Sequence, residues 1–345
     1  MSQTEVWIHR LAKFAVVLAC CVVALGAYTR LKDAGLGCPD WPGCYGFVAV
    51  PQSEEAIAKA NSAYPHRPVE AEKAWAEMVH RYFASTLGLV ILIVAGLSIK
   101  ARKANPNVGI KLPLLLLGLV IFQGILGMWT VTLGLFPTVV MGHLLGGFTT
   151  LSLLFLLALK TSGRIKPTRV ENAQALYSFT LVGIVILALQ IALGGWTAAN
   201  YAAAVCAELP ICQEGWQEQI NTREAFQFWG HGIDEKGLAD YEYGHHLSGS
   251  AKITIHVAHR IGAIITTLYL AGLLGWVLFT FKPTWIKQIA AVATTILTLQ
   301  IALGISNIVF GVPLAVAVAH NGVAALLMLS LIWMGYSLHK AKGEK

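Results

Sequence analysis

Four histidines of this chain have a type and a spacing that suit the ligation of metal-centred groups. They form one pair in each half of the sequence, His80 with His143 and His259 with His320. The members of a pair are 63 residues apart in the first half and 61 in the second, and Gln123 and Gln300 each precede the later histidine by 20 residues. Imidazole is a common axial ligand of haem iron, and helical bundles often hold such a group. The repeated pairs predict two haem sites, with structural hydrogen bonding as the alternative.

The elements that must position these histidines are membrane-spanning helices. Of the 345 residues, 56% are hydrophobic and 12% are charged, which is about half the charged share of a soluble domain. A spanning helix needs roughly 20 mostly apolar residues. Eight such stretches occur, at about 11–31, 80–101, 112–133, 138–160, 174–195, 256–280, 285–308 and 314–338. We therefore predict an all-α integral membrane protein with eight transmembrane helices.

The distribution of charge predicts the orientation of these helices. Lysine and arginine are concentrated near both termini and in the short loops, whereas the long loops 32–79 and 196–255 are rich in acids. The positive-inside rule then makes both termini cytoplasmic and the long loops external. A bacterial inner membrane is expected, because no long Arg- and Ser-rich leader is seen. The net charge of +7 reflects this asymmetry and gives no reason to expect nucleic-acid binding. The first stretch resembles a signal peptide but is expected to be a retained helix, because no convincing cleavage site follows.

The two halves are expected to be a tandem duplication of a four-helix unit. The predicted units are 1–160 and 174–345, joined by a cytoplasmic linker at 161–173. Each unit has an even number of helices, so both have the same orientation. The segments around His80 and His259 are expected to open their helices, which places these residues within about a turn of the outer ends. His143 and His320 are expected five to seven residues in, roughly 8–10 Å deep.

Six cysteines divide into two groups by position. Cys20 and Cys21 lie in the first predicted helix and are expected to be small buried apolar residues. Both external loops contain one Cys-x5-Cys pair, and these pairs are Cys38 with Cys44 and Cys206 with Cys212. An oxidising outer compartment predicts a disulfide in each loop. Metal binding is the alternative for both pairs.

One difference between the halves suggests where a reaction would occur. Glu77 lies three residues before His80 and shares its helix face, whereas the matching position in the second half is His256. A partly buried carboxylate beside a haem can transfer protons or stabilise a developing positive charge. An interfacial glutamate paired with Arg81 is the alternative. We expect the first half to be reactive and the second half to transfer electrons.

The arginines that follow the first histidine of each pair are candidate haem-binding residues. Arg81 and Arg260 lie at the outer boundary, where a guanidinium can pair with the propionate carboxylates of haem. The alternative is that both side chains only extend to the aqueous interface.

Several of these motifs together resemble the haem A synthase family. The resemblance is carried by residues 35–44 (GLGCPDWPGC) and 77–81 (EMVHR), and it extends over 142–143, 258–260 and 319–321. It covers essentially the whole chain. It implies an eight-helix duplicated bundle of bacterial or mitochondrial inner membranes that oxidises a ring methyl of haem O to a formyl group, giving haem A.

The same resemblance implies a role for each candidate residue. His80 and His143 would bind the substrate haem O, and Glu77 would be the catalytic carboxylate. His259 and His320 would ligate a haem b cofactor, and both loop cysteine pairs would be disulfides. The implied partners are a haem O synthase and the assembly pathway of cytochrome oxidase, with self-association of the chain.

Other interpretations remain open from the sequence. A two-haem cytochrome that only transfers electrons, or a haem carrier without chemistry, would use the same histidines. A solute transporter is disfavoured, because no Pro- or Gly-broken helix pair surrounds a midplane site. The long second loop contains His231, His245 and His246, which are expected to be solvated. The repeat favours His259 over His256 as the ligand.

Overall fold

The computed structural model describes residues 2–163, 170, 172–229, 241 and 244–342, and its elements there are helices. In chain order they are α1 Gln3–Leu31, α2 Glu54–Ala63, α3 Ala71–Ala104, α4 Lys111–Thr132, α5 Pro137–Ser162, α6 Ala173–Ala199, α7 Thr222–Ala225, α8 Gly249–Thr280, α9 Thr284–Val309 and α10 Leu314–Lys342. A 3-10 turn at Trp216–Gln219 precedes α7.

Eight of these helices are long and apolar enough to span a membrane: α1, α3, α4, α5, α6, α8, α9 and α10. This confirms the predicted all-α fold with eight spans. The short helices α2 and α7 lie in the two long loops, 32–70 and 200–248, at one end of the bundle. We call this end the loop end.

The predicted positions of His80 and His259 along their helices are wrong. His80 lies nine residues after the start of α3, and His259 lies ten residues after the start of α8, which is roughly 14–15 Å along the axis. Residues 71–79 are too polar to extend an apolar span, yet they are rich in helix-forming Ala, Glu and Lys and extend α3 beneath a loop that packs on them. A Cβ atom on Gly37 of that loop would lie 2.5 Å from the backbone of Lys73. The predicted positions of His143 and His320 along their helices are confirmed, since each lies six residues after the helix start.

The pairwise packing of the helices is the same in both halves. In the first half α1 and α4 each contact α3 and α5, and in the second half α6 and α9 each contact α8 and α10. The halves meet through α1 with α10, α5 with α6 and α5 with α10. A duplication about an axis along the membrane normal would produce this pattern. The duplication and its boundaries remain our interpretation, and most of the predicted linker lies outside the described residues.

The side chain of Cys21 departs from the sequence-based expectation. Cys20 is half-buried, whereas Cys21 is exposed on the outer surface of α1. Consecutive residues of a helix point about 100° apart, so both cysteines cannot face the bundle. The prediction of two buried cysteines is therefore wrong for Cys21.

Candidate functional site

The first histidine pair faces an apolar cavity of about 360 Å³ between α1, α3, α4 and α5. The ring centroids of His80 and His143 are 6.4 Å apart and the rings are nearly perpendicular, at 88°. Bonds from imidazole nitrogen to a metal are about 2 Å long, so two rings on one metal have centroids about 6 Å apart. The spacing therefore fits a single metal between the two imidazoles.

Each of the four histidine rings lies against a glycine of a neighbouring helix. The pairs are Gly26 with His80, Gly127 with His143, Gly194 with His259, and Gly304 with His320. A Cβ atom on these glycines would lie 3.0, 3.4, 3.0 and 3.2 Å, respectively, from Cε1 of the ring. Distances of 3.0–3.4 Å are at or below the lower limit of ordinary van der Waals contact. A side chain at any of the four glycines would therefore press on the neighbouring imidazole.

The second histidine pair has glutamine neighbours. On α6, Gln190 places Nε2 3.0 Å from Nδ1 of His259 and donates to the His259 carbonyl at 3.0 Å. On α9, Gln300 places Nε2 3.2 Å from Nε2 of His320. In the described part of the chain, Nδ1 has no hydrogen-bond partner in His80, His143 and His320, and no glutamine amide is hydrogen-bonded to a ring of the first pair. The surroundings of the two pairs are therefore different.

Glu77 lies in the same cavity as the first histidine pair. Its side chain is only 5% exposed, and its carboxylate accepts hydrogen bonds from the Cys38 backbone N–H at 2.9 Å and from Arg81 Nη2 at 2.5 Å. Glu77, His80 and Arg81 all line the cavity. The structure thus brings together the carboxylate and the first histidine pair, and it also contains the ion pair with Arg81.

Both candidate arginines hold the backbone of the neighbouring disulfide loop. Arg81 Nη1 donates to the carbonyls of Asp40 and Gly43, at 3.0 and 2.5 Å. Arg260 is buried and donates to three carbonyls of the second loop, those of Cys206, Glu208 and Ile211. Both guanidinium groups, which were expected to pair with haem propionates, therefore donate hydrogen bonds to loop carbonyls. The pairing of Arg81 and Arg260 with propionates remains a prediction.

His256 takes the place of Glu77 in the second half. Its Nε2 accepts from Arg260 Nε at 3.2 Å, which matches the Glu77–Arg81 spacing of four residues. Because Nε2 of His256 accepts this hydrogen bond, His256 is disfavoured as a metal ligand. The geometry agrees with the sequence-based choice of His259.

The two loops near the cavity are closed by disulfides. Cys38 is bonded to Cys44 and Cys206 to Cys212, as predicted. In the first loop burial raises the pKa of Tyr45, which keeps its hydroxyl neutral and able to donate to the Pro68 carbonyl at 3.1 Å.

The histidines of the second loop differ from one another in their surroundings. His245 is exposed, as expected. His246 is half-buried, with Nε2 3.2 Å from Asn200 Oδ1 and its ring edge-on to Tyr241, so the prediction that it is solvated is wrong. His231 lies outside the described residues.

The donor set fits a haem better than a bare metal ion. Among the described residues, no group of three or more His, Cys, Asp or Glu side chains is arranged to hold a metal. A structural zinc site takes four protein ligands. A haem brings its own four in-plane nitrogens and needs protein ligands only at the axial positions, which a pair of facing imidazoles supplies.

The second half also contributes to the wall of the first cavity. Ala198 of α6 and Asn321 of α10 line the cavity together with His80 and His143. Asn321 directly follows His320 in sequence, so the two predicted haem sites are neighbours across the interface between the halves.

Comparison with known proteins gives consistent matches over the full length. A family model, COX15-CtaA, described as cytochrome oxidase assembly protein, matches residues 9–332. The chain is 47% identical to a heme A synthase of Shewanella oneidensis, over 96% of this chain and 97% of that protein. It is 30% identical to a heme A synthase of Rhizorhabdus wittichii, covering 94% and 92%. A heme A synthase–mitochondrial ferredoxin fusion protein of Schizosaccharomyces pombe is 26% identical over 95% of this chain and 59% of the fusion.

Proposed function

Because this chain belongs to the COX15-CtaA family of cytochrome oxidase assembly proteins, we propose that it is a haem A synthase that oxidises a ring methyl of haem O to a formyl group. The observation that carries the proposal is the shared cavity of His80, His143 and Glu77. Two imidazoles at a spacing that fits one iron lie beside a single buried carboxylate.

In the proposed assignment the first half holds the substrate. His80 and His143 bind the iron of haem O, and the apolar cavity wall contacts the porphyrin and the start of its alkyl tail. Removing electrons from a ring methyl requires an oxidising centre close to it, which haem iron can supply. The chain then has to orient the reacting edge and accept the protons that are released.

Glu77 is the residue that we assign to proton transfer in the first half. Its carboxylate is fixed by the Cys38 N–H and by Arg81, so it does not need to reorganise when positive charge develops nearby. The ion pair with Arg81 is also compatible with a purely structural role. A charge-removing variant is therefore the deciding test.

In the second half we propose that His259 and His320 ligate a resident haem b. This group would accept electrons from the first site when bound. Gln190 and Gln300 hold the two imidazoles, and such outer contacts fix the orientation of a metal-ligating ring. The absence of a carboxylate at position 256 is in keeping with electron transfer rather than methyl oxidation.

The setting of the reaction is also part of the proposal. The loop end faces the outside of a bacterial inner membrane, with both termini cytoplasmic. A haem O synthase supplies the substrate, the product is passed to cytochrome oxidase assembly, and the chain self-associates. Arg81 and Arg260 contact the haem propionates next to the disulfide loops that they hold.

The test is haem extraction and chromatography from membranes that contain this chain together with a haem O synthase. We expect haem A with the unaltered chain, and little haem A with Glu77→Gln while bound haem b persists. Glu72→Gln is the matched control, because Glu72 is exposed on the same helix and its ion pair in the described structure is with Lys32, away from the cavity. Haem A production that survives Glu77→Gln at unchanged haem content would refute the role of Glu77.

A loaded chain that yields only haem b and unmodified haem O would refute the synthase activity itself. It would then favour a two-haem cytochrome or a haem carrier.

A further inference from the structure

The amide of Gln123 is a buried polar group in the first cavity to which the proposed function gives no task. Gln123 lies on α4, is 9% exposed and lines the cavity. Among the residues that the structure describes, its Nε2 has no hydrogen-bond partner. Buried polar groups in proteins are nearly always hydrogen-bonded, so an unpaired amide at a cavity wall indicates a partner that enters with the ligand.

Gly146 of α5 provides the space that the amide occupies. A Cβ atom on Gly146 would lie 1.7 Å from Nε2 and 2.6 Å from Cδ of Gln123, so the amide fills the volume of a missing side chain. Gly146 follows His143 by three residues on a helix that starts at the loop end. The amide therefore lies about one helical turn deeper in the bundle than His143.

The second half has a different arrangement at the same positions. Gln300 corresponds to Gln123, and Val323 follows His320 by three residues as Gly146 follows His143. Val323 is buried, and the Gln300 amide instead contacts Nε2 of His320 at 3.2 Å. A glycine in the first half therefore directs the glutamine to the cavity, whereas in the second half the glutamine contacts the ligand histidine.

We propose that Gln123 binds the hydroxyl group of the alkyl substituent that distinguishes haem O from haem b, and so selects the substrate of the first site. This inference rests on the proposed function. An amide donates through Nε2 and accepts through Oε1, and a hydroxyl matches either group. Haem b has only a vinyl group at that position, so its binding would leave the amide unpaired. Sites built to bind a hydroxyl discriminate strongly against analogues that lack it.

The depth of the amide agrees with this assignment. The propionates of a haem in the first cavity are expected at the loop end, near Arg81. The hydroxyl-bearing substituent is on the opposite side of the porphyrin from the propionates. It therefore points deeper into the bundle, where Gln123 lies one turn below His143.

The test is a binding titration of the full-length chain with haem O and with haem b, after the second site has been saturated with haem b. The unaltered chain is expected to bind haem O more tightly at the first site. Gln123→Leu is expected to weaken haem O binding about tenfold, the usual size of one lost hydrogen bond, and to strengthen haem b binding or leave it as it was, because no amide is then left unpaired. Gln288→Leu, at an exposed position of α9, is expected to leave the preference of the first site intact.

A second pair of variants keeps the test independent of any folding defect in Gln123→Leu. Gly146→Ala displaces the amide and is expected to reduce the haem O preference in the same way. Gly118→Ala is the control, because Gly118 lies on the same helix as Gln123 but outside the cavity lining, and a Cβ there meets nothing within 4 Å in the described part of the chain. Equal losses of haem O and haem b affinity, or an unchanged preference in Gln123→Leu, would overturn the inference.

Measurements of haem binding and of haem A formation distinguish a failure of this inference from a failure of the proposed function. A chain that prefers haem O through Gln123 but yields no haem A retains this inference and loses the proposed function. A chain that makes haem A with an unchanged rate and unchanged KM for haem O in Gln123→Leu loses this inference alone.

Discussion

At the scale of single residues, a substitution of a glycine beside a histidine ring is expected to affect only the haem site to which that histidine belongs. Gly26→Ala places a methyl group 3.0 Å from Cε1 of His80, and Gly194→Ala does the same to His259. Each ring must shift, and disturbing the group that orients a metal-ligating histidine typically weakens binding by about tenfold or more. We expect Gly26→Ala to lose haem O selectively and Gly194→Ala to lose haem b selectively, as measured by extracted haem per protein.

Gly118→Ala provides the control for both variants. It also adds a methyl group to an apolar helix, but a Cβ at Gly118 meets nothing within 4 Å among the described residues. It should keep both haems. Loss of both haems from either Gly26→Ala or Gly194→Ala would contradict separate positioning by the two glycines.

The histidine pairs, Glu77 and the cysteine pairs could be found from the sequence because polar residues stand out in apolar helices and recur in both halves. The glycine contacts were not found, although Gly127 and Gly304 both precede their histidines by sixteen residues. Small residues are frequent in membrane helices, and only the folded structure shows which ones meet a ring. Gln190 was missed for a related reason, since it contacts a histidine 69 residues away on another helix.

At the scale of elements, the sequence predicted the eight spans but not where α3 and α8 begin. Apolar stretches in a sequence mark only the part of a helix that spans the bilayer. Residues 71–79 contain charged side chains, so they fall outside the apolar stretch from which the start of α3 was predicted. These residues are nevertheless good helix formers, and the disulfide loop packs on them through contacts such as Cys38 with Glu77. This contact joins distant segments and has no local sequence signal.

The second disulfide loop is expected to depend on Arg260. Arg260→Lys keeps the charge but replaces a planar fork of donors by a point donor, so it cannot retain bonds to all three carbonyls. Each lost hydrogen bond to a charged group costs roughly 1.5–3 kcal/mol, and we expect a melting temperature lower by several degrees in detergent. Hydrogen exchange at residues 206–212 should become faster.

Arg223→Lys is the control for the same loop. Arg223 is exposed on α7, and exchanging it for lysine should change neither measurement. Unchanged hydrogen exchange in Arg260→Lys would show that the loop is held by its disulfide and by packing alone.

At the scale of the whole molecule, Arg30 connects the two halves. From the end of α1 its Nη2 donates to the carbonyls of Ala198 and Ala199 at 2.6 and 3.3 Å, and its guanidinium lies 3.9 Å from the ring centroid of Tyr201. Charged hydrogen bonds and a cation–π contact are each worth roughly 1–3 kcal/mol. We expect Arg30→Ala to lower the melting temperature and to reduce haem A formation.

Arg102→Ala is the control for Arg30, since Arg102 is an exposed arginine at the opposite end of the bundle. Its removal should leave both measurements within error of the unaltered chain. Normal stability in Arg30→Ala would indicate that helix packing alone holds the halves together.

The wall that Ala198 and Asn321 add to the first cavity limits how independent the two repeated units can be. A single unit, expressed as residues 1–163, would have a cavity open on the side that the other unit normally covers. Under the proposed duplication, two identical units would have closed each other's cavities as a symmetric dimer before they were joined in one chain. After joining, the residues inside each unit would be able to diverge, while the shared wall would require both units to be kept.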